Sequence, residues 1–347
     1  MSHPKTLLLT GAGGFAGSHM LREILESTDW NIVCVASFRH KGLQDRIKYI
    51  LNETPLWNQR VKIVIHDLQS PISKLTSQQI GKIDFVVNFA SESHVDRSIK
   101  YPYKFISNNV TIILNLLEWA RENELEQFIQ ISTDEVYGDH SISDPSREWV
   151  SIIRPSNPYS ASKAAQENIC VAYARTYGIP IKITNTVNMF GEMQDPEKFL
   201  PTVINSILKK SLVKIHAISQ MEIGSRVYLH AQQNASAILF ILTNNLTCNN
   251  DGGIPKFHIS SMDVFNNLEI AQLIADKMHS ELIYEIDYHV LNRPGHDFHY
   301  SLDGSSMTQL GWKPRNSFLT SLEQTIDFYL NEPMWLDPAN FMNSEIQ

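Results

Sequence analysis

The chain has 347 residues, 43% of them hydrophobic and 19% charged, with a net charge of −8. That suffices for one large α/β unit with an appended lobe and argues against disorder. With no basic run, a nucleic-acid backbone is not an expected partner, and no stretch approaches the ~20 apolar residues that cross a bilayer. The cysteines, Cys34, Cys170 and Cys248, are too far apart for a disulfide framework or a zinc site, and no metal is expected. They read as thiols of a reducing compartment. Met1 to Lys5 lead straight into an apolar run without the h-region of a signal peptide, so a cytoplasmic location is expected.

Thr6 to Thr10 reads as a strand, the Gly11–Gly17 segment as a turn, and Ser18 to Glu26 as a helix. Further strands are expected at Asn31–Phe38, Val61–His66, Ile83–Phe89, Phe128–Ser132 and Ile179–Thr186. Helices are expected at about Val110–Asn123 and Ala161–Tyr177. Apolar strands alternating with amphipathic helices predict an α/β fold with a doubly wound parallel sheet of Rossmann type. The dinucleotide-binding domain is expected over 1–190, with contributions from about 231–260. A smaller, irregular α/β lobe for substrate is expected over 191–347, packed over the carboxyl ends of the strands, where such sheets bind ligands. Within it, 192–230 and 252–315 read as mostly loop, and helices return at Ala231–Thr243 and Leu268–Met278.

Gly11, Gly14 and Gly17 stand between a strand and a helix. The first permits a tight turn, the second lets the backbone approach a pyrophosphate, and the third lets the helix pack on the sheet. The helix N-terminus, with Phe15 and Ala16, then offers N–H groups to the phosphates. The end of the second strand has no carboxylate for an adenosine ribose. It reads Val35-Ala36-Ser37-Phe38-Arg39-His40, and Ser37, Arg39 or His40 suit a 2′-phosphate, so NADP is slightly favoured over NAD. Asp67 and Leu68 after the third strand, Ala90 and Ser91 after the fourth, and Ser132 after the fifth complete the candidate cofactor contacts.

Tyr159 and Lys163 are four residues apart at the start of a helix, on one face. An adjacent ammonium favours the phenolate, which makes Tyr159 a candidate base; Lys163 can also bond a cofactor ribose. Thr133-Asp134-Glu135 follows the fifth strand. If both carboxyl groups face one cavity, their surroundings can split their pKa values into an acid and a base, as an elimination of water needs.

These residues carry a family signature. The chain resembles the extended short-chain dehydrogenase/reductase family, closest to the dTDP-glucose 4,6-dehydratases and related nucleotide-sugar 4,6-dehydratases. The matching stretches are Thr10–Ser18, Ser91–Ser98, Ile131–Gly138, Pro158–Ala165, Arg175–Gly178, Asp195–Lys198 and Arg293–Asp297. The resemblance implies a mechanism. Tyr159 takes the O4 proton as C4 is oxidised, with Lys163 and Thr133 in support; Glu135 removes the C5 proton; Asp134 protonates the departing C6 hydroxyl. It also implies a tightly bound dinucleotide regenerated each cycle, and a homodimer built on the helices near 110–123 and 161–177. It places Ser93, His94, Asn188, Glu197, Lys198, Arg226, Arg293 and His296 at the nucleotide sugar.

The sequence departs from the family in three places. Ala36 stands where an aspartate is usual, Asn188-Met-Phe-Gly191 replaces Asn-Asn-Tyr-Gly, and the arginine of the Gly224–Leu229 segment is displaced by two positions to Arg226. The last two lie near the expected sugar-nucleotide site, so the nucleotide and hexose stay open. An epimerase or decarboxylase of the same fold would not need Asp134 and Glu135, and a non-catalytic dinucleotide sensor would have no call on Tyr159 and Lys163.

Overall fold

A computed structural model describes residues 3–39, 43–139, 144–219, 222–244, 246, 253–261, 263–288 and 299–341. His40, Cys248, Arg293 and His296 lie outside the described residues.

The strands in chain order are β1 (Thr6–Thr10), β2 (Asn31–Ala36), β3 (Val61–Ile65), β4 (Phe85–Asn88), β5 (Gln127–Ile131), β6 (Ile181–Thr186), β7 (Asn188–Phe190), β8 (Val213–Ser219), β9 (Glu222–Ile223), β10 (Ser225–His230), β11 (Lys256–Ile259), β12 (Val264–Asn266), β13 (Tyr284–Asp287) and β14 (His299–Tyr300). The helices are α1 (Phe15–Ser27), α2 (Gln44–Glu53), α3 (Lys74–Ile80), α4 (Val95–Lys100), α5 (Pro102–Arg121), α6 (Pro158–Tyr177), α7 (Phe199–Leu208), α8 (Ala231–Thr243), α9 (Asn267–Lys277), α10 (Ser305–Gln309) and α11 (Phe318–Asn331).

Seven strands form one parallel sheet in the order β3-β2-β1-β4-β5-β6-β11. Leu7, Leu8 and Leu9 of β1 are all fully buried. Leu7 and Leu9 join one core and Leu8 the other, so successive side chains feed two cores on opposite faces. That explains why β1 reads as a continuous apolar run rather than an alternation. The strand order reverses between β1 and β4, and a crevice opens at their carboxyl ends.

A buried polar row crosses the sheet just below that crevice. Thr10 donates to Asn88 Oδ1 at 2.5 Å, Asn88 donates to Gln130 Oε1 at 2.8 Å, and Gln130 donates to Gln166 Oε1 at 3.1 Å on α6. Each group finds a partner, as burial requires, and the row fixes the register of three strands and one helix under the site.

The sheet and its class follow the sequence reading, with corrections at the element ends. The first helix begins at Phe15, so Phe15, Ala16 and Gly17 form its first turn. The α5 helix begins at Pro102, two turns before the apolar stripe becomes dense, because Tyr103, Lys104 and Ile106 on its first turns are exposed. The α6 helix begins at Pro158, where Asn157 and Ser160 form a capping box. The lobe is more regular than expected. Strands β7, β10, β12 and β14 form one small sheet, and β8, β9 and β13 another. These strands run to seven residues at most, too short to show a period.

Arg46 of α2 is fully buried. It donates to the Met193 carbonyl and to the Gly13 carbonyl, each at 3.0 Å, and lies 3.7 Å from Asp195. It thus ties the glycine turn to the entry of the lobe. Arg46→Met is expected to destabilise the fold by about 3 kcal/mol, because two buried carbonyls and a carboxylate lose their partner. Urea unfolding checks this; a loss below about 1 kcal/mol would show that the arginine is replaceable.

Candidate active site

A cavity of about 590 Å³ opens at the carboxyl ends of the central strands, between the sheet and the lobe. One wall is the glycine turn. Gly11 has φ +70°, and its carbonyl accepts from the Gly14 N–H at 2.8 Å. A Cβ on Gly17 would stand 2.2 Å from that carbonyl, so only glycine lets α1 start so close to the turn. Gly14 caps α1 without a side-chain hydrogen bond, which leaves first-turn N–H groups directed at the cavity. This cradle, together with the buried Ser132 hydroxyl, which finds no partner among the described residues, fits the diphosphate and ribose of a dinucleotide.

Gly11, Gly14, Phe15, Ala16, Gly17, Ser37, Arg39, Asp67, Leu68, Ala90, Ser91 and Ser132 all line this cavity. At its adenosine end, Arg39 pairs with Asp67 at 2.7 Å. Two residues read separately as cofactor contacts are therefore partners of each other, and Arg39 is more than a solvated surface arginine.

The chemistry-bearing residues converge on the middle of the cavity. Thr133, Asp134 and Glu135 occupy the turn after β5, and Tyr159 and Lys163 face them from the first two turns of α6. Asp134 is buried; its Oδ1 accepts from the Thr133 hydroxyl at 3.0 Å, while its Oδ2 has no partner among the described residues. Burial raises its pKa to about 7, the Glu135 charge adds to the rise, and the Thr133 hydrogen bond and Arg226 oppose it. Glu135 is only half-buried, and Asn157, the N-cap of α6, donates to its Oε2 at 3.4 Å. Two adjacent carboxyl groups thus meet unlike surroundings.

Lys163 does not act on Tyr159 as the spacing suggests. Its ammonium donates to the Ile131 carbonyl at 2.6 Å and to Gln166 Oε1 at 2.7 Å. Burial lowers its pKa to about 8, an effect that Glu167 partly offsets. The Tyr159 phenol is raised by burial and by Glu135 and Asp134, against a Thr133 hydrogen bond. The expected lowering by an adjacent ammonium is overridden, because the ammonium is turned onto backbone and amide acceptors and desolvation dominates.

Ser93, His94, Asn188, Glu197, Lys198 and Arg226 line the far half of the cavity. His94 Nδ1 accepts from the Arg97 N–H at 3.3 Å, so its proton sits on Nε2, 3.1 Å from Glu197 Oε1. This contact joins the two walls of the cavity. The far wall also includes Gln194, Asp195, His216, Tyr228 and Asn267. None of these was named as a site residue from the sequence, although Asp195 and Tyr228 lie in stretches that the resemblance covers; Gln194, His216 and Asn267 have no motif signal, and only the fold brings them to the cavity.

Residues 7–251 match the NAD dependent epimerase/dehydratase family. The chain is 32% identical to dTDP-glucose 4,6-dehydratase of Escherichia coli, over 95% of this chain and 94% of the relative. Among solved structures it is similar to DesIV, the dTDP-glucose 4,6-dehydratase from Streptomyces venezuelae, solved with NAD bound. The TM-score is 0.82 at 28% identity, covering 96% of this chain and 99% of that one. UDP-glucuronic acid 4-epimerase from Bacillus cereus shares the fold, with a TM-score of 0.81 at 22% identity over 94% and 99% of the two chains.

The raised pKa of Asp134 has a stability consequence. The folded state holds the proton more tightly than the unfolded chain, so ionisation subtracts stability progressively from about pH 4 to about pH 7. Asp134→Asn removes that cost. Its melting temperature is expected to rise relative to wild type at about pH 8 and to change little near pH 4. Thermal melts at both values check this, and an equal change at both would show that Asp134 does not titrate as described.

Proposed function

The chain belongs to the NAD dependent epimerase/dehydratase family, and we propose that it removes water from a nucleoside-diphosphate hexose as a 4,6-dehydratase. The observation that carries this reading is the pair Asp134 and Glu135, adjacent in sequence, facing Tyr159 in one cavity, with Asp134 held near neutrality. The dehydratase identities of the relatives support it.

A dinucleotide bound along the glycine turn supplies hydride acceptance at C4 and hydride return at C6. Everything else falls to side chains of this chain. Tyr159 takes the O4 proton, and the Thr133 hydroxyl beside it stabilises the phenolate. Lys163 holds α6 against β5 and offers its remaining N–H to a ribose. With C4 a ketone, the C5 proton is acidic. Glu135, half-exposed, is the base that removes it, and it returns a proton to C5 once C6 has been reduced. Asp134, still protonated near pH 7, gives its proton to the leaving C6 hydroxyl, the role that a buried carboxylic acid can fill and an exposed one cannot. Ser93, His94, Asn188, Glu197, Lys198 and Arg226 hold the nucleotide sugar, the cations facing its diphosphate. Arg293 and His296 belong to the same set by resemblance.

An epimerase reading is less well supported, because moving a hydride to and from C4 gives Asp134 and Glu135 nothing to do. For the dinucleotide we favour NADP over NAD, on Ala36, Ser37 and Arg39 at the adenosine end. Asp67 fixes one edge of the Arg39 guanidinium and leaves its other N–H groups for a 2′-phosphate. A homodimer through α5 and α6 fits the exposed Tyr103, Ile106 and Tyr177 on those helices. A cytoplasmic setting fits the free, buried Cys34 and Cys170.

Glu135→Gln is expected to abolish incorporation of solvent deuterium at C5 while C4 oxidation, followed by cofactor absorbance, persists. Unimpaired exchange would remove Glu135 from the role of base. Arg39→Ala is expected to weaken NADP⁺ at least about tenfold more than NAD⁺ in a binding titration, the size of one charge-assisted phosphate contact. Equal effects would discard the 2′-phosphate reading.

A further inference from the structure

Behind the catalytic turn lies a buried ionic cluster to which the steps above give no role. Glu167 of α6 is 1% exposed and stands one turn beyond Lys163 and two beyond Tyr159, so one helical stripe carries all three. Its Oε1 accepts from the Asn185 amide at 2.7 Å, and its Oε2 from the Lys256 ammonium at 2.8 Å. The same Asn185 nitrogen donates to the main-chain carbonyl of Thr133 at 2.9 Å. That carbonyl belongs to the peptide whose nitrogen is that of Asp134. Lys256 in turn lies 4.9 Å from the Tyr137 ring and 4.8 Å from the Trp149 ring, and Tyr137 ends the short 3₁₀ turn that begins at Asp134. Paired strands supply the donors: in the β6–β11 register Lys256 stands opposite Ile183 and His258 opposite Asn185.

A buried ion pair is a poor way to gain stability, since well-packed apolar side chains often serve as well or better. What an apolar filler lacks is a directed acceptor for Asn185. We propose that Glu167 is a positioning residue for the dehydration: through Asn185 it fixes the Thr133–Asp134 peptide, and with it both carboxyl groups, relative to Tyr159 on its own helix. One helix then sets the front of the site with Tyr159 and Lys163 and the back with Glu167. Helix and turn cannot shift independently, so the distance between the oxidising and eliminating groups is held. This inference rests on the dehydratase reading.

The test first establishes that wild-type protein releases water from its sugar nucleotide; failure there refutes the reaction, and the variants address the tether separately. Glu167→Leu, which removes the acceptor, and Asn185→Ala are each expected to lower kcat about 10- to 100-fold, the cost of a misplacement of about 1 Å, with KM within about twofold. The double variant should be no worse than the worse single, because both cut one tether. Glu167→Leu leaves the Lys256 ammonium facing an apolar side chain, so Glu167→Leu/Lys256→Met is made beside it to relieve that conflict. It is expected to regain melting temperature without regaining kcat. If kcat returns with stability, if the two single losses multiply in the double variant, or if KM rises while kcat holds, Glu167 is a packing residue and the proposal fails.

Discussion

The Lys163 ammonium donates to the Ile131 carbonyl at 2.6 Å and to Gln166 at 2.7 Å, and on these bonds the geometry of the site depends. Ile131 is the last residue of β5. The bond therefore locks the start of α6 to the carboxyl end of the strand from which Thr133, Asp134 and Glu135 emerge. A buried cation has to find such acceptors, and here they are a strand end and a glutamine already bonded into the polar row below. Tyr159, four residues earlier, is carried with Lys163 into the cavity. Two of the three ammonium donors are spent on architecture.

From that arrangement follows the contrast between the carboxyl groups. Neighbours in a turn cannot both be buried as anions without heavy cost. Asp134 lies inward, loses its water and keeps its proton to about pH 7; Glu135 lies half outward beside Asn157. The chain accepts a destabilised group at this point, and the proposed reaction uses it as the acid. The same economy appears in Tyr159, whose buried phenol is harder to ionise than in water.

Much of this was legible in the sequence. Apolar runs long enough to cross a buried sheet marked six of its seven strands. The seventh, β11, gave only Phe257 and Ile259 between polar neighbours, because Lys256 and His258 are buried with partners of their own. Helix α3 escaped notice because only Ile80 is buried and no stripe forms, and α2 because only Ile47 and Ile50 are buried apolar residues and an arginine is buried beside them. In the site, motif residues could be named because adjacency and spacing are visible in one dimension. Asn157, Glu167 and Asn185 could not, since their roles come from contacts between elements far apart in sequence. The direction of the Lys163 ammonium was likewise invisible, for spacing alone places two side chains on one face without saying which atoms each will choose.

The most direct test of the account is mass spectrometry of the purified protein incubated with dTDP-, UDP-, GDP- and CDP-linked hexoses, with NAD⁺ or NADP⁺ added separately. The account predicts that one sugar nucleotide loses the mass of one water, with no net consumption of the dinucleotide. Isomerisation of a sugar at constant mass, with no water lost from any of them, would contradict it and leave Asp134 and Glu135 without a chemical task.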